Sequence, residues 1–514
     1  MCAKPTAGHD DALFIRLSHS IIIGDYLGHY DNKTLAKSPS YAFWIALCHI
    51  LGVPLLFGQK LLYMFSCGII VLALRKFISN NFLLLLIYSL LLFNPAIYST
   101  EMLRVYRSSI HPSLTLLLFG GIINFYIYEP SLKIKSLCGW GTFTGIVLAA
   151  FWLNREEAIW ILPPLFIIIS FSFWRLYKAN YPNKCLLTAC YISPIVIFLM
   201  ILLTICTINY FKYDNFTYCE IKSQEFQAAV NSLQQIEHNR IPFVPLSRTA
   251  FSFAFKASPV FSEIKKPMEE MLFKKWSFFS EKAVNTPSGE IAGGWFHWAL
   301  RDAVQSVGYY SSGAKAKDYY KRLSDDINRA FADGRLVQSN YLGKNVLWLT
   351  VKNLPEVIMK TVTFNGCDAE NFYSDEPFAG VYVFETITGS RMAPIIELSN
   401  LSLADNYIRI RHDVWLVYKT IFPWLVMLGV ICFLISVIQD ICFHRLMNLN
   451  VLCIAIIVGI GCLFIGLCFI TAIFGAGITI LYLSPAQPLL IIFALLSCYN
   501  VIHLFFCIRD MKKR

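Results

Sequence analysis

The sequence predicts an α-helical polytopic membrane protein of about nine spans with a mixed, mostly helical extracytoplasmic domain. Three observations lead there. Of 514 residues, 56% are hydrophobic and only 15% are charged, against about 25% charged in a soluble domain. The charges sit in short islands between long apolar runs. One polar block, 210–411, interrupts that pattern. A soluble enzyme, a disordered chain and a transmembrane β-barrel are excluded.

The spans come first. Apolar segments at 59–74, 82–99, 108–128, 136–153, 157–174, 186–209, 415–438, 449–474 and 486–507 are each close to the ~20 residues that cross a hydrocarbon core. Basic clusters stand at Arg75-Lys76, Lys133/Lys135, Arg175/Lys178/Lys184, His444-Arg445 and Lys512-Lys513-Arg514. One walk along the spans puts all five on the cytoplasmic side, as the positive-inside rule requires. The same walk puts 1–58, 101–107, 154–157 and the block 210–411 on the far side and the C-terminus in the cytoplasm. The apolar stretch 41–57 must then be re-entrant or lie along the membrane.

The chain divides accordingly. Residues 1–58 form an outer-face loop, 59–209 an N-terminal transmembrane bundle, 210–411 an extracytoplasmic domain and 412–514 the C-terminal transmembrane helices. The net charge of +11 follows from the topogenic clusters, so no nucleic-acid partner is expected. Residues 1–8 are polar and lack an apolar core, so no cleavable signal peptide is expected. Most of the sixteen Cys lie in apolar runs, where they act as small apolar residues. Cys219 and Cys367 lie in the polar block, where an oxidising compartment would leave one disulfide open to them. No pair has metal-site spacing, and no metal ligands are assigned.

The islands carry the chemistry. Asp10 and Asp11 open a segment in which Leu13, Phe14, Leu17 and Ile21 recur at helical spacing, which predicts an amphipathic helix on the membrane surface. Helix capping alone would account for the two aspartates. Lys37 stands before Pro39 and an apolar run, at headgroup depth, where snorkelling competes with contact to a lipid phosphate. Glu101, Arg104 and Arg107 follow a span, the two arginines three apart and so on one face of any helix there. Arg155, Glu156 and Glu157 fill a tight turn between spans. The topology converges these residues on one surface, in outward loops that should be poor in positive charge. Transfer from an anionic lipid needs such a set. A carboxylate deprotonates an acceptor hydroxyl, and cations hold the departing phosphate.

At these residues the sequence resembles the GT-C class of membrane glycosyltransferases, which includes the protein O-mannosyltransferases and the lipid A aminoarabinose transferases. The stretches are Asp10-Asp11-Ala12-Leu13-Phe14 and Lys37-Ser38-Pro39-Ser40-Tyr41. Glu290 to Ala303, with Gly293-Gly294-Trp295-Phe296, is similar to uncharacterised bacterial members. The resemblance implies a sugar donor on a polyprenyl-phosphate carrier and an unknown glycan, lipid or protein acceptor; no other cofactor is expected, and a divalent metal is left open without support from the sequence. It implies Asp10 or Asp11 as catalytic base and Lys37 as a phosphate ligand. Arg104 and Arg107 join the phosphate by topology, with Arg155, Glu156 and Glu157 in support. There are two departures. One proline follows the lysine motif where the family has two. The family also has a span before its acidic pair, whereas here nine residues precede Asp10. A start farther upstream and a truncated, inactive copy both fit that departure.

Within the polar block, Phe226, Val230, Leu233 and Ile236 have helical spacing, and 319–331 repeats it. Residues 346–351 and 380–385 read as short strands. Trp295, Phe296, Trp298, His297 and Arg301 form either a sugar-stacking surface or an aromatic core helix. Two other functions compete with the transferase. A lipid or solute transporter would need ionisable groups at mid-span, whereas the charges here cluster at span ends. A non-catalytic relative would keep the fold without the chemistry.

Overall fold

The structure is a computed structural model describing residues 8–127, 134–178, 184–339, 344–367, 380–391, 402–442, 448–475 and 477–511. Among these residues, nine helices are long and apolar enough to cross a membrane, and they match the nine predicted segments in order. The chain is a polytopic helical membrane protein.

The first half holds α1 (Gly8–Ile22), α2 (Ser40–Ile50), α3 (Leu55–Leu74), α4 (Asn81–Leu92), α5 (His111–Ile122), α6 (Ile134–Asn154), α7 (Leu162–Lys178) and α8 (Lys184–Tyr213). Local chemistry sets the boundaries. Asn80 caps α4 by accepting from the backbone N–H groups of Phe82 and Leu83. Asn94-Pro95 then turns the chain into short 3₁₀ segments. Segment 41–57 breaks after α2, at Gly52, whose φ of +66° few other residues adopt. Eleven residues span about 16 Å, half a hydrocarbon core. The thirty residues of α8 reach about 45 Å, so its last turn leaves the bundle. There the Tyr213 hydroxyl donates to the Gly28 carbonyl at 2.9 Å.

The polar region supplies α9 (Gln224–Gln234), α10 (Arg248–Ala257), α11 (Phe273–Val284), α12 (Gly293–Ser306) and α13 (Gly313–Ala332). Then follow α14 (Lys344–Thr363), α15 (Val381–Thr388), α16 (Ser402–Cys442), α17 (Asn448–Phe474) and α18 (Ala486–Met511). Small residues let the spans approach. A Cβ on Gly145 of α6 would lie 2.8 Å from the Pro194 carbonyl of α8, and one on Gly429 of α16 would lie 2.6 Å from Cα of Ala494 on α18. A buried polar clasp ties α16, α17 and α18. Asn450 Nδ2 donates to Asp440 at 2.7 Å, and Asn500 Nδ2 donates to Ser436 Oγ at 2.6 Å and to Asn450 Oδ1 at 2.9 Å.

Two apolar cores result. One joins the spans with α14 and α15 through Val357, Phe364, Phe384 and Ile387. The other joins α9 to α13 with Leu27, Tyr30 and Leu35. Helix α1 is wedged between them, with Phe14 and Ile15 in the first core and Leu13 and Leu17 in the second. It is therefore buried on two faces, and Arg16 and His19 along its middle are exposed.

Two expectations are corrected, and the two cysteines of the polar block are placed. Residues 346–351 lie in helix α14, and 381–385 lie in helix α15 after its N-cap Gly380. Their apolar residues also fit a 3.6-residue period, and Val357 and Phe384 bury one face of each helix on the span core. Arg104 and Arg107 do not share a helix face. Arg104 and Tyr106 have extended backbone, between 3₁₀ turns at Thr100–Leu103 and Arg107–Ser109. Cys219 and Cys367 are both buried free thiols, one beside the Ala36 carbonyl and the other in the span core.

Candidate active site

A cavity of about 1570 Å³ lies where the polar body meets the spans. Six cations line it, Lys33, Lys37, Arg107, Arg155, Lys222 and Lys275, against three carboxylates, Asp10, Glu156 and Glu157. One wall is apolar and comes from the last turns of α17, through Leu463, Leu467, Ile470 and Phe474. The space therefore suits an amphipathic anion.

Sequence-local geometry places the charged groups. Helix α6 stops at Asn154, Arg155 is extended, and a 3₁₀ turn starts at Glu156. One extended residue between helical ones turns consecutive side chains in different directions. The Glu156 carboxylate goes to Arg107, 2.5 Å from Nη2, and to Lys37, 3.6 Å from Nζ. Arg155 pairs with Glu157 through two parallel bonds, both 3.1 Å. It also donates to the Ser108 hydroxyl. Two bonds in a plane fix the guanidinium more firmly than one.

The ring of Tyr106 organises the arginines. It lies 4.9 Å from the Arg104 guanidinium and 5.9 Å from those of Arg107 and Arg155. Its phenol is pushed up by burial and by the Asp10 charge, so it stays neutral. Arg104 lies outside the cavity lining and reaches Asp11 at 3.6 Å and Glu101 at 3.7 Å. Burial opposes the Arg104 charge most strongly, but Asp11, Tyr106, Glu101 and Asp10 together outweigh it, holding the group above the usual arginine value. The two aspartates thus part ways. Asp10 faces the cavity, whereas Asp11 is 2% exposed and held against Arg104.

Several lining residues carried little sequence signal. Lys222 lies over the Trp152 ring at 5.4 Å. Burial pulls its ammonium below the usual lysine range, with Glu156 opposing. His111 stacks on Phe151 at 4.6 Å and meets Asn154 Nδ2 at 3.2 Å. Tyr482 packs on Arg155 at 4.7 Å. Only a Lys or an aromatic beside an island would have marked them. The aromatic stretch of α12 divides between both earlier readings. Trp295, His297 and Trp298 line the cavity, and the Trp298 ring is 5.9 Å from Lys37 Nζ. Phe296 and Arg301 face the core, fully buried. Arg301 there pairs with Glu220 at 2.7 Å and donates to the Asn32 carbonyl at 2.8 Å. Burial, then Lys37 and Arg301, push the His297 imidazole down to about 4. It is neutral at physiological pH. Among the described residues, no group of three or more His, Cys, Asp or Glu is placed to hold a metal ion.

No protein-family model matches the chain, and no curated protein matches it. Among solved structures it is similar to ArnT from Cupriavidus metallidurans in the apo state. Identity is 12%, over 92% of this chain and 74% of that chain, with a TM-score of 0.32. The same protein bound to undecaprenyl phosphate gives 12%, 92%, 74% and 0.33. The nine long apolar helices make this chain an integral membrane protein, with its charged cavity at one end of the spans.

Proposed function

We propose that the chain is a membrane glycosyltransferase that moves a sugar from a polyprenyl-phosphate carrier to an acceptor hydroxyl. One observation carries this reading: a single cavity joins six cations to an apolar wall of span residues. A lipid phosphate has both parts, a charged head for Lys37, Arg107, Arg155 and Lys222 and a long apolar tail for the α17 wall. Positive-inside topology puts this face outside the cytoplasm and the C-terminus inside. A bacterial inner membrane fits that orientation.

The step is an inverting displacement. The Asp10 carboxylate takes the proton of the acceptor hydroxyl. The oxygen attacks the anomeric carbon as the bond from that carbon to the phosphate oxygen breaks. The electron pair leaves on the phosphate, whose growing charge the cations neutralise. Glu156 bridges Lys37 and Arg107, and Glu157 fixes Arg155, so the cations are in place before the lipid arrives. Asp11 acts through Arg104.

The test is transfer from a panel of radiolabelled polyprenyl-phosphate sugars in proteoliposomes, with Asp10→Asn as comparison. Transfer by the parent and its loss in the variant, with lipid-phosphate binding kept, supports the reading. Equal transfer by both removes Asp10 as base. A folded protein that binds no polyprenyl phosphate overturns the reading.

A further inference from the structure

The cavity has a second kind of wall. On α9, Gln227, Asn231 and Gln234 stand at i, i+4 and i+7, and all three line the cavity with Val230. That spacing is one helix stripe, so three carboxamides face the same space. Opposite polar requirements shape the rest of α9. Phe226, Ala229 and Leu233 are buried in the body's core. The side-chain amides of Asn231 and Gln234 bond to no other described residue, whereas Gln227 Nε2 donates to the Ile221 carbonyl at 2.5 Å.

Aromatic rings complete this wall. Trp295 and Trp298 of α12 and Trp276 and Phe279 of α11 line it. Trp276 is 1% exposed, with its indole N–H committed to Asp302 at 3.1 Å, so it backs the wall and offers the cavity no donor. Charge is cancelled here as well: Lys275 is paired with Asp302 at 2.8 Å. The wall thus offers flat apolar faces and neutral groups that both donate and accept. Carboxylates and phosphates are served at the other end, by the cations.

We propose that the α9–α11–α12 wall is the acceptor subsite and that its ligand is a neutral, hydroxyl-rich glycan. The ring faces stack on the apolar faces of the sugar, and the carboxamides pair with its hydroxyls. Trp298 marks the junction with the donor end, because its ring meets Lys37. The identity of the wall's ligand as an acceptor rests on the transferase reading; that it binds a neutral glycan does not.

The experiment is saturation-transfer NMR on the full chain in nanodiscs. The probes are chitotriose and mannotriose, with sialyllactose and a Gly-Ser peptide as anionic and peptide comparisons. Polyprenyl phosphate binding is measured on the same samples. Variants are Trp295→Ala and Asn231→Leu/Gln234→Leu, with Trp295→Phe as the conservative exchange and thermal melts to establish folding. The expected result is binding of a neutral trisaccharide, weakened at least tenfold in the first two variants and restored by Trp295→Phe. Polyprenyl phosphate binding should change less than twofold. Preference for sialyllactose or the peptide overturns the proposal, as does neutral-glycan binding that folded variants leave unchanged. Absence of neutral-glycan binding with polyprenyl phosphate bound also overturns it and leaves the transferase reading standing. Glycan binding lost in the variants, with no polyprenyl phosphate bound, keeps the glycan site and removes the transferase reading.

Discussion

The carboxylate of Glu156 lies 2.5 Å from the guanidinium of Arg107. The first residue of one span-entry turn thereby clamps the first residue of another, since Glu156 opens the 3₁₀ turn before α7 and Arg107 the one before α5. Lys37 shares the same carboxylate. Glu156→Gln leaves Arg107 buried beside a neutral amide. Breaking a buried pair from one side costs about 3–5 kcal/mol. A lower melting temperature is expected in nanodiscs, together with weaker lipid-phosphate binding as Lys37 and Arg107 lose their fixed positions.

Asp10 and Asp11 should separate functionally. Asp10→Asn should reduce turnover by about 10²–10⁴, the usual contribution of a general base, with donor KM little changed. Asp11→Asn should act on stability and on Arg104 placement, lowering the melting temperature first. Steady-state kinetics beside thermal melts distinguish the two.

Arg155→Lys keeps the charge and loses the paired bonds to Glu157. An ammonium is a point charge and cannot form that planar pair. Transfer should fall about 10²-fold, the loss typical of one removed stabilising donor, while expression and melting temperature change less.

The position of these charges was largely legible in the sequence, and their pairing was not. Asp10, Lys37, Arg107, Arg155, Glu156 and Glu157 all reach the cavity, because span order brings these islands together at one end of the spans. Which carboxylate meets which cation depends on single extended residues such as Arg155, which no periodicity reveals. Tyr106, the ring under three arginines, is one aromatic among many. The runs in α14 and α15 read as strands from sequence because short stretches such as Val346-Leu347-Trp348-Leu349 and Val381-Tyr382-Val383-Phe384 fit either period. Burial on the span core decides between them, and burial is a tertiary fact.

His297 gives stability a pH dependence. Burial, then Lys37 and Arg301, hold its folded pKa at about 4, below the unfolded 6.5. The unfolded chain therefore binds the proton first, and the folded state loses stability as pH falls from 6.5 toward 4. The loss reaches at most about 3 kcal/mol. His297→Gln should flatten the melting temperature between pH 7 and pH 4 relative to the parent.

Arg301 and Glu220, 2.7 Å apart and buried, tie α12 to the segment after α8 and, through the Asn32 carbonyl, to the loop that carries Lys37. Arg301→Met should destabilise by about 3–5 kcal/mol. Arg301→Met/Glu220→Gln should recover part of that loss, because no uncompensated charge stays buried. Denaturation of the two single variants and the double variant closes the cycle.

The proposed transfer requires that the cationic end of the cavity hold a lipid phosphate. Equilibrium binding of polyprenyl phosphate to the chain in nanodiscs, compared with Arg107→Gln/Lys222→Gln, tests it most directly. Saturable binding that neutral polyprenol does not compete is expected, weakened at least tenfold in the folded double variant. Binding of equal strength in parent and variant, or none in a folded parent, would contradict it.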